Sequence, residues 1–412
     1  MRCFAIGKGK FLYLYGDKKR RKSMKLVFVA DFSEQFPNRI LRGIRKFSQE
    51  TGEPWVVCRM PSTYVNQIGF QEFFSWTKKW KADIVLAPFN PDDPVEEFRN
   101  AGIAAIALDN IHPFTQIPNL TGNYEAMGEM AATRFIARGF TNFAFFGYHG
   151  LCWSDGRRRG FENYLESQGL KDNYQEGVRL RTDNLWSYDE ARLGYWLLSL
   201  PKPIGIMVCD DTQANILLEC CRTFDISVPG DVAVIGVDND EVQCSMTDPP
   251  LSSVDVDLER GGYALASMAA RMVREPEYPG EDIVLQPLGI VTRKSSSIVV
   301  TRDKNVQEAI RFISENIQKK IQVKDILEHV PMSRRSLEQR FMKETGKSVY
   351  DFITRMRIDV FSQMLLSSEE SVAALAAKMD EPDAKSISRR FKALKGCTPS
   401  EFRSQHLRNL GV

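Results

Sequence analysis

Four places in this chain put carboxylates directly after short apolar runs. Asp31 follows Lys25–Ala30, and Asp109 with Asn110 follows Ile103–Leu108. Asp210-Asp211 follow Ile204–Cys209, and Asp238-Asn239-Asp240 follow Val232–Val237. A carboxylate placed so can accept hydrogen bonds from two neighbouring hydroxyls, one on each oxygen, which suits a polyol. An aromatic ring completes such a site by packing on apolar C–H faces, and Trp153 is close enough in sequence to one of these loops to serve. A strand-end Asp can equally be a helix N-cap. That accounts well for any one of them and less well for the set.

A second constellation lies in the last third, where one pattern occurs twice. Val323–Phe341 and Ser371–Lys392 each hold a short helix, a break, a polar N-cap (Ser333, Asp383) and a basic helix ending on Phe. Leu337/Phe341 and Ile387/Phe391 are spaced by four, so each pair should face inward and leave the basic residues outside. A basic helix displayed in this way fits the DNA major groove. Arg334, Arg335, Glu338 and Gln339 are the outward candidates on the first, and Lys385, Ser388, Arg389 and Lys392 on the second.

The remaining chemistry points elsewhere than catalysis or metals. The eight cysteines are scattered apart from Cys220-Cys221, there is no C-x-x-C, and no histidine has zinc-ligand spacing to a cysteine. No Walker loop, G-x-G-x-x-G or G-x-S-x-G occurs, and His149 near Cys152 is too little to make a nucleophilic pair. We expect no enzyme, no metal and no cofactor.

The elements that must position these residues divide the chain. Charge is about +8 over residues 1–25, about −11 over 26–302 and about +5 over 303–412, so DNA contact should belong to the ends and sensing to the middle. Residues 1–23, with Lys18–Lys22 as a basic cluster, read as a disordered or spurious leader. No apolar run reaches the roughly 20 residues of a membrane helix, and a cytoplasmic protein is expected. From Met24 to about Leu288, apolar strands alternate with helical patterns, which suits parallel sheets covered on both faces. Ligands of such sheets bind at the carboxyl ends of the strands, where the carboxylates lie.

The C-terminal repeat resembles the AraC/XylS family of bacterial regulators. The most specific part is Phe391-Lys392, Gly396, Thr398-Pro399 and Phe402-Arg403. Asp380-Glu381-Pro382 stand where that family has Gly-Phe or Gly-Tyr before the second recognition helix. The middle is similar to the effector domain of LacI/GalR regulators through Arg157–Phe161, Asp211–Ala214, Ile226–Asp238 and Pro250–Val254. That resemblance implies ligand contacts from Arg157, Asp211 and Asp238, with Asp31, Asp109 and Trp153 as further candidates. The family's Asp before the helix at Tyr124 is Gly122 here.

The order of the two parts resembles the xylose operon regulator family, and the stretches Ile226–Asn239 and Arg311–Phe341 resemble it throughout. It implies a bilobed, periplasmic-binding-protein-like α/β sensor followed by an all-α double helix-turn-helix domain. The expected divisions are lobes over 24–139 with 251–288 and over 140–250, a linker at 291–302 and a DNA-binding domain at 303–408. The implied function is a transcription regulator whose operator binding is controlled by a monosaccharide, D-xylose by family, acting as a homodimer with RNA polymerase as a further partner. A different sugar, a regulator that has lost its ligand, and a transport or chemotaxis binding protein remain as alternatives.

Overall fold

In the computed structural model, which describes residues 23–108, 111–179, 189–301, 303–368, 370–381 and 383–410, two six-stranded sheets precede a helical region. The first sheet holds β1 (Met24–Val29), β2 (Trp55–Met60), β3 (Ile84–Ala87), β4 (Ala104–Leu108), β5 (Asn119–Gly122) and β11 (Ile283–Leu285) in the order β11-β5-β4-β3-β1-β2. The second holds β6 (Phe143–Tyr148), β7 (Tyr174–Arg179), β8 (Ile204–Val208), β9 (Val232–Val237), β10 (Ser252–Val256) and β12 (Pro287–Val291) in the order β12-β10-β9-β8-β6-β7. All pairs are parallel except β10 with β12. The central strands β3, β6, β8 and β9 are buried along their whole length, because helices cover both faces.

The chain passes between the sheets at Gly122/Asn123, at Val256/Asp257 and at Gln286. The three passages are tied to one another. The Asn123 amide donates to Leu285 O (2.9 Å), the Asp257 amide to Gln286 O (3.0 Å), and Asn123 Nδ2 to Gln286 Oε1 (3.0 Å).

These positions correct the expected lobe limits at 139/140 and 250/251. The Tyr124–Ala137 helix packs on the Cys152–Ser167 helix of the second lobe and sets Phe135 against Gly205 of β8. Strand β10 pairs with β9, and the stretch from the Leu258–Arg274 helix through β11 returns to the first lobe. Gly139-Phe140 and Asp248-Pro249, which punctuate the chain near those expected limits, are turns inside the second lobe. The expected linker is also shorter at its start, since Ser295 is fully buried, donates from Oγ to Val234 O (2.7 Å) and accepts from the Ser252 amide (2.8 Å).

Each lobe is braced by a helix pair in backbone contact. A Cβ at Gly43 would lie 2.0 Å from Glu259 O, and one at Gly128 would lie 2.1 Å from Arg157 O. The second contact fixes the backbone from which Arg157 projects.

The helical region contains Lys304–Glu315, Val323–Leu327, Arg334–Thr345, Val349–Ser367, Val372–Lys378, Ala384–Lys395 and Pro399–Leu410. The long Val349–Ser367 helix is shared by two cores, one around Leu337 and Phe341 and the other around Ile387 and Phe391. Both basic helices start on the expected caps. Ser333 Oγ accepts from the Ser336 amide (3.3 Å) and Asp383 Oδ1 from the Lys385 amide (3.0 Å). The region meets the second lobe where Val300 N donates to Arg138 O (2.8 Å) and where Asp359 lends negative potential to Arg134 and Arg138. Among the described residues, no helix is long and apolar enough to cross a membrane. Residues 1–22 lie outside the described ones.

Candidate functional site

Between the lobes, the loops after β1, β8 and β9 face one another at the carboxyl ends of their strands. The centre of this cleft is Arg157, on the Cys152–Ser167 helix, with only 6% of its side chain exposed. Its guanidinium donates to Cys209 O at the end of β8 and to Asp238 Oδ1 (3.2 Å) after β9. The rings of Trp153 and Tyr124 lie 5.4 and 5.5 Å from it, within range of cation–π attraction. Burial alone would depress the guanidinium pKa, but the carboxylates around it win and the net shift is upward. Its Nε is buried and has no acceptor among the described residues. Arg157 is therefore a fixed, charged donor set with capacity left over.

The carboxylates divide into two groups. Asp211 is buried, and both of its oxygens are used: Oδ1 accepts from Ser253 Oγ (2.6 Å) and Oδ2 from the Asp240 amide (2.8 Å). That arrangement holds the 238–240 loop, in which Asp238 (φ 98°) and Asn239 (φ 49°) take left-handed conformations that non-glycine residues rarely adopt. Asn239 is gripped further, its amide donating to Ser253 Oγ (3.0 Å) and its Oδ1 accepting from Arg293 (2.8 Å). The direct ligand contact expected of Asp211 thus meets a carboxylate already spent on this loop. Its neighbour Asp210 caps the Asp211–Thr223 helix through Gln213 N (2.6 Å) and raises the pKa of Glu34 across the cleft.

Glu34, on the first lobe, was not singled out by its sequence position, since it follows no strand directly. Its surface is exposed to water, while protein atoms and four carboxylates crowd its carboxyl. Desolvation, then Asp210, Asp238, Asp31 and Asp240, push its pKa from 4.5 to about 8. Between those values the folded protein holds a proton that the unfolded chain releases, so stability falls as pH rises through that window. Glu34→Gln should flatten that fall in urea midpoints measured from pH about 5 to about 8. Parallel pH slopes for the variant and the parent would refute it.

Other expected residues fall as follows. Asp31 lies near Glu34, with Oδ1 accepting from the Ser33 amide (3.0 Å) and hydroxyl (2.7 Å). Trp153 is half-buried, edge-on to Tyr148. Asp109 lies outside the described residues. At Gly122 a side chain has no room, because a Cβ there would lie 2.3 Å from the Tyr124 ring. The ring takes the space the family's Asp would need. Arg39, also not foreseen, reaches across from the first lobe to Asp255 Oδ1 (2.9 Å), Asp238 O (3.3 Å) and Val256 O (3.1 Å). Beside it, the Gln35 amide donates to Asp240 Oδ2 (3.1 Å).

On the helical region, Arg334, Arg335 and Gln339 are exposed on the first basic helix, and Lys385, Arg389 and Lys392 on the second. Glu338 is half-buried and reaches the Val349 amide at 3.5 Å. Ser388 is half-buried, its hydroxyl donating to Ala384 O (2.7 Å). Ala384, Lys385, Ser388, Arg389, Lys392 and Thr398 line one shallow concavity. Among the described residues no cluster of His, Cys, Asp or Glu could hold a metal ion.

Known proteins share this layout. Residues 132–296 match the model of the periplasmic binding protein-like domain, and residues 326–405 match a helix-turn-helix domain. The xylose operon regulatory protein of Escherichia coli (strain K12) is 25% identical over 392 residues, 93% of this chain and 97% of the relative. That of Haemophilus influenzae is 25% identical over 92% of this chain and 98% of the relative. Among solved structures, that of the xylose-binding transcription activator xylR superposes with TM-score 0.61 at 23% identity, covering 93% of this chain and 99% of that one. With the two domains in one order along nearly the whole length, the chain is a transcription regulator and not an enzyme, a homologue of the xylose operon regulatory proteins that joins a periplasmic binding protein-like domain to an AraC-type helix-turn-helix domain.

Proposed function

We propose that a monosaccharide bound between the lobes, D-xylose by analogy with the relatives' names, controls how the two basic helices engage an operator. The observation that carries this is Arg157: a buried guanidinium with an unused donor, flanked by two aromatic rings and facing carboxylates from both lobes. Hydroxyls need both donors and acceptors, and the rings suit the C–H faces of a sugar. Arg157, Asp238, Asp210, Glu34 and Trp153 are assigned direct contacts, Asp31 an outer one, and Asp211 the support of the 238–240 loop. Lobe closure is the switch, because a ligand shifts the population only toward the state it binds better.

A different sugar is the second reading, favoured by Tyr124 filling the space over Gly122. One or two pocket changes are enough to alter which sugar fits. A thermal-shift screen of pentoses and hexoses tests both readings. D-xylose at about 100 times its Kd should add about 2.7 kcal/mol of stability. Stabilisation by another sugar alone would move the assignment to that sugar, and a flat screen would refute sugar sensing.

On DNA, we assign Arg335 and Arg389 to guanine, since an arginine fork can bond O6 and N7 together. Arg334, Glu338, Gln339, Lys385 and Ser388 flank them, and Lys392 takes a phosphate. A homodimer would present two such domains to two repeats, with RNA polymerase as the further partner in a cytoplasmic setting. Arg335→Ala should relax preference at one base position by about 1–3 kcal/mol, whereas Lys392→Ala should weaken all sequences alike and reduce the salt dependence. Binding to single-base operator variants separates the two, and a uniform loss for Arg335→Ala would remove it as a base reader.

A further inference from the structure

The turn that departs from the family pattern, Asp380-Glu381, is wired to the opposite helix-turn-helix unit. Asp380 Oδ2 accepts from the Lys320 amide (3.1 Å), which lies just before the first unit. Glu381 pairs with Arg390 on the second basic helix and lies 3.8 Å from Arg357 on the shared Val349–Ser367 helix. Arg357 is the centre of this set. Its guanidinium donates to Ile317 O (3.0 Å) and Lys319 O, in the segment that leads into the first unit, and to Met379 O on the second. Side-chain exposures of 7% for Arg357 and 12% for Glu381 keep water from weakening the pair.

This set lies in the wall of a groove of about 820 Å³ between the two units, lined also by Gln322, Tyr350, Thr354 and Arg389. Besides the shared helix, this polar set ties them together. We infer that the Asp380-Glu381 turn, bolted through Arg357, fixes the distance between the two DNA-reading helices and so the spacing of the two base segments that the chain accepts. Asp380 and Glu381 are positioning residues, since neither lies on the outward face of a basic helix. The inference rests on the reading that both helices enter the major groove.

The physical reason is the pitch of DNA. One inserted base pair moves the second segment by about 3.4 Å and turns it by about 35°. A rigid pair of helices cannot follow that shift, but a pair hinged on one helix can. Asp380→Gly is a clean probe, because φ is 51° there and glycine keeps that conformation while losing the acceptor. Glu381→Gln keeps the shape and removes the charge.

The test uses the full chain with genetically encoded spin labels at Lys343 and Lys392 for distances without DNA, and the unlabelled full chain for binding to duplexes with zero, one or two base pairs inserted between the segments. The parent protein should give a narrow interspin distance distribution and lose at least about tenfold in affinity on one insertion. Both variants should broaden the distribution and lose less than about threefold on the same insertion. The distance arm does not depend on DNA reading, so its failure is separate from failure of that reading. Distributions as narrow as the parent's would overturn the lock. Broadened distributions with an unchanged insertion penalty would overturn its role in spacing.

Discussion

Arg157→Met should lose about 3 kcal/mol of sugar affinity, roughly a hundredfold in Kd, by calorimetry. Methionine fills much of the volume and can still pack against Trp153 and Tyr124, so the loss reports the guanidinium rather than a collapsed pocket. Two effects add. Donors held ready for ligand hydroxyls disappear, and Asp238 and Cys209 O lose the partner that holds them in place. Charged hydrogen bonds contribute about 1.5–3 kcal/mol each, more than neutral ones. Melting of the ligand-free protein gives the control. A variant that folds and binds sugar with unchanged affinity would remove Arg157 from the site.

Arg39→Met should cost about 3–5 kcal/mol in urea unfolding of the sensor. Arg39 and Asp255 form an ion pair with side-chain exposures of 9% and 11%, and the same guanidinium also serves Asp238 O and Val256 O from the other lobe. Removing one partner of such a pair leaves a buried charge unpaired, which costs far more than an intact surface pair contributes. Asp255→Asn on the Arg39→Met background should recover part of the loss, because it removes the orphaned charge. Strict additivity of the two substitutions would show that the pair carries no coupling.

Much of the architecture was legible in the residues. Fully apolar strands ending on carboxylates marked the sheets and the edge of the cleft. The paired Ser333 and Asp383 caps, with Leu337/Phe341 and Ile387/Phe391 behind them, marked both basic helices. The lobe passages were not legible, because Gly139 and the Asp248-Pro249 step punctuate the chain inside a lobe more strongly than Asn123 or Asp257 do at the real crossings. Asp210 and Asp211 are adjacent at a helix start. Only the fold decides that one looks across the cleft while the other turns inward to Ser253. Glu34 and Arg39 act across lobes, over separations that no local pattern encodes. The Asp380-Glu381 departure could be seen in the sequence, but its partners Lys320 and Arg357 could not.

The central claim is that sugar in the cleft and DNA at the basic helices are energetically coupled in one chain. Enriching a duplex from a random pool with the full protein supplies the operator. Fluorescence anisotropy on that duplex, with and without saturating D-xylose, then reads the coupling. At a D-xylose concentration about ten times the parent's Kd, the account predicts a change in operator Kd of about 5- to 150-fold, the usual range for allosteric coupling, and little change for Arg157→Met, which stays mostly unliganded there. An operator affinity that D-xylose leaves untouched in the parent protein, while the sugar demonstrably binds, would contradict it.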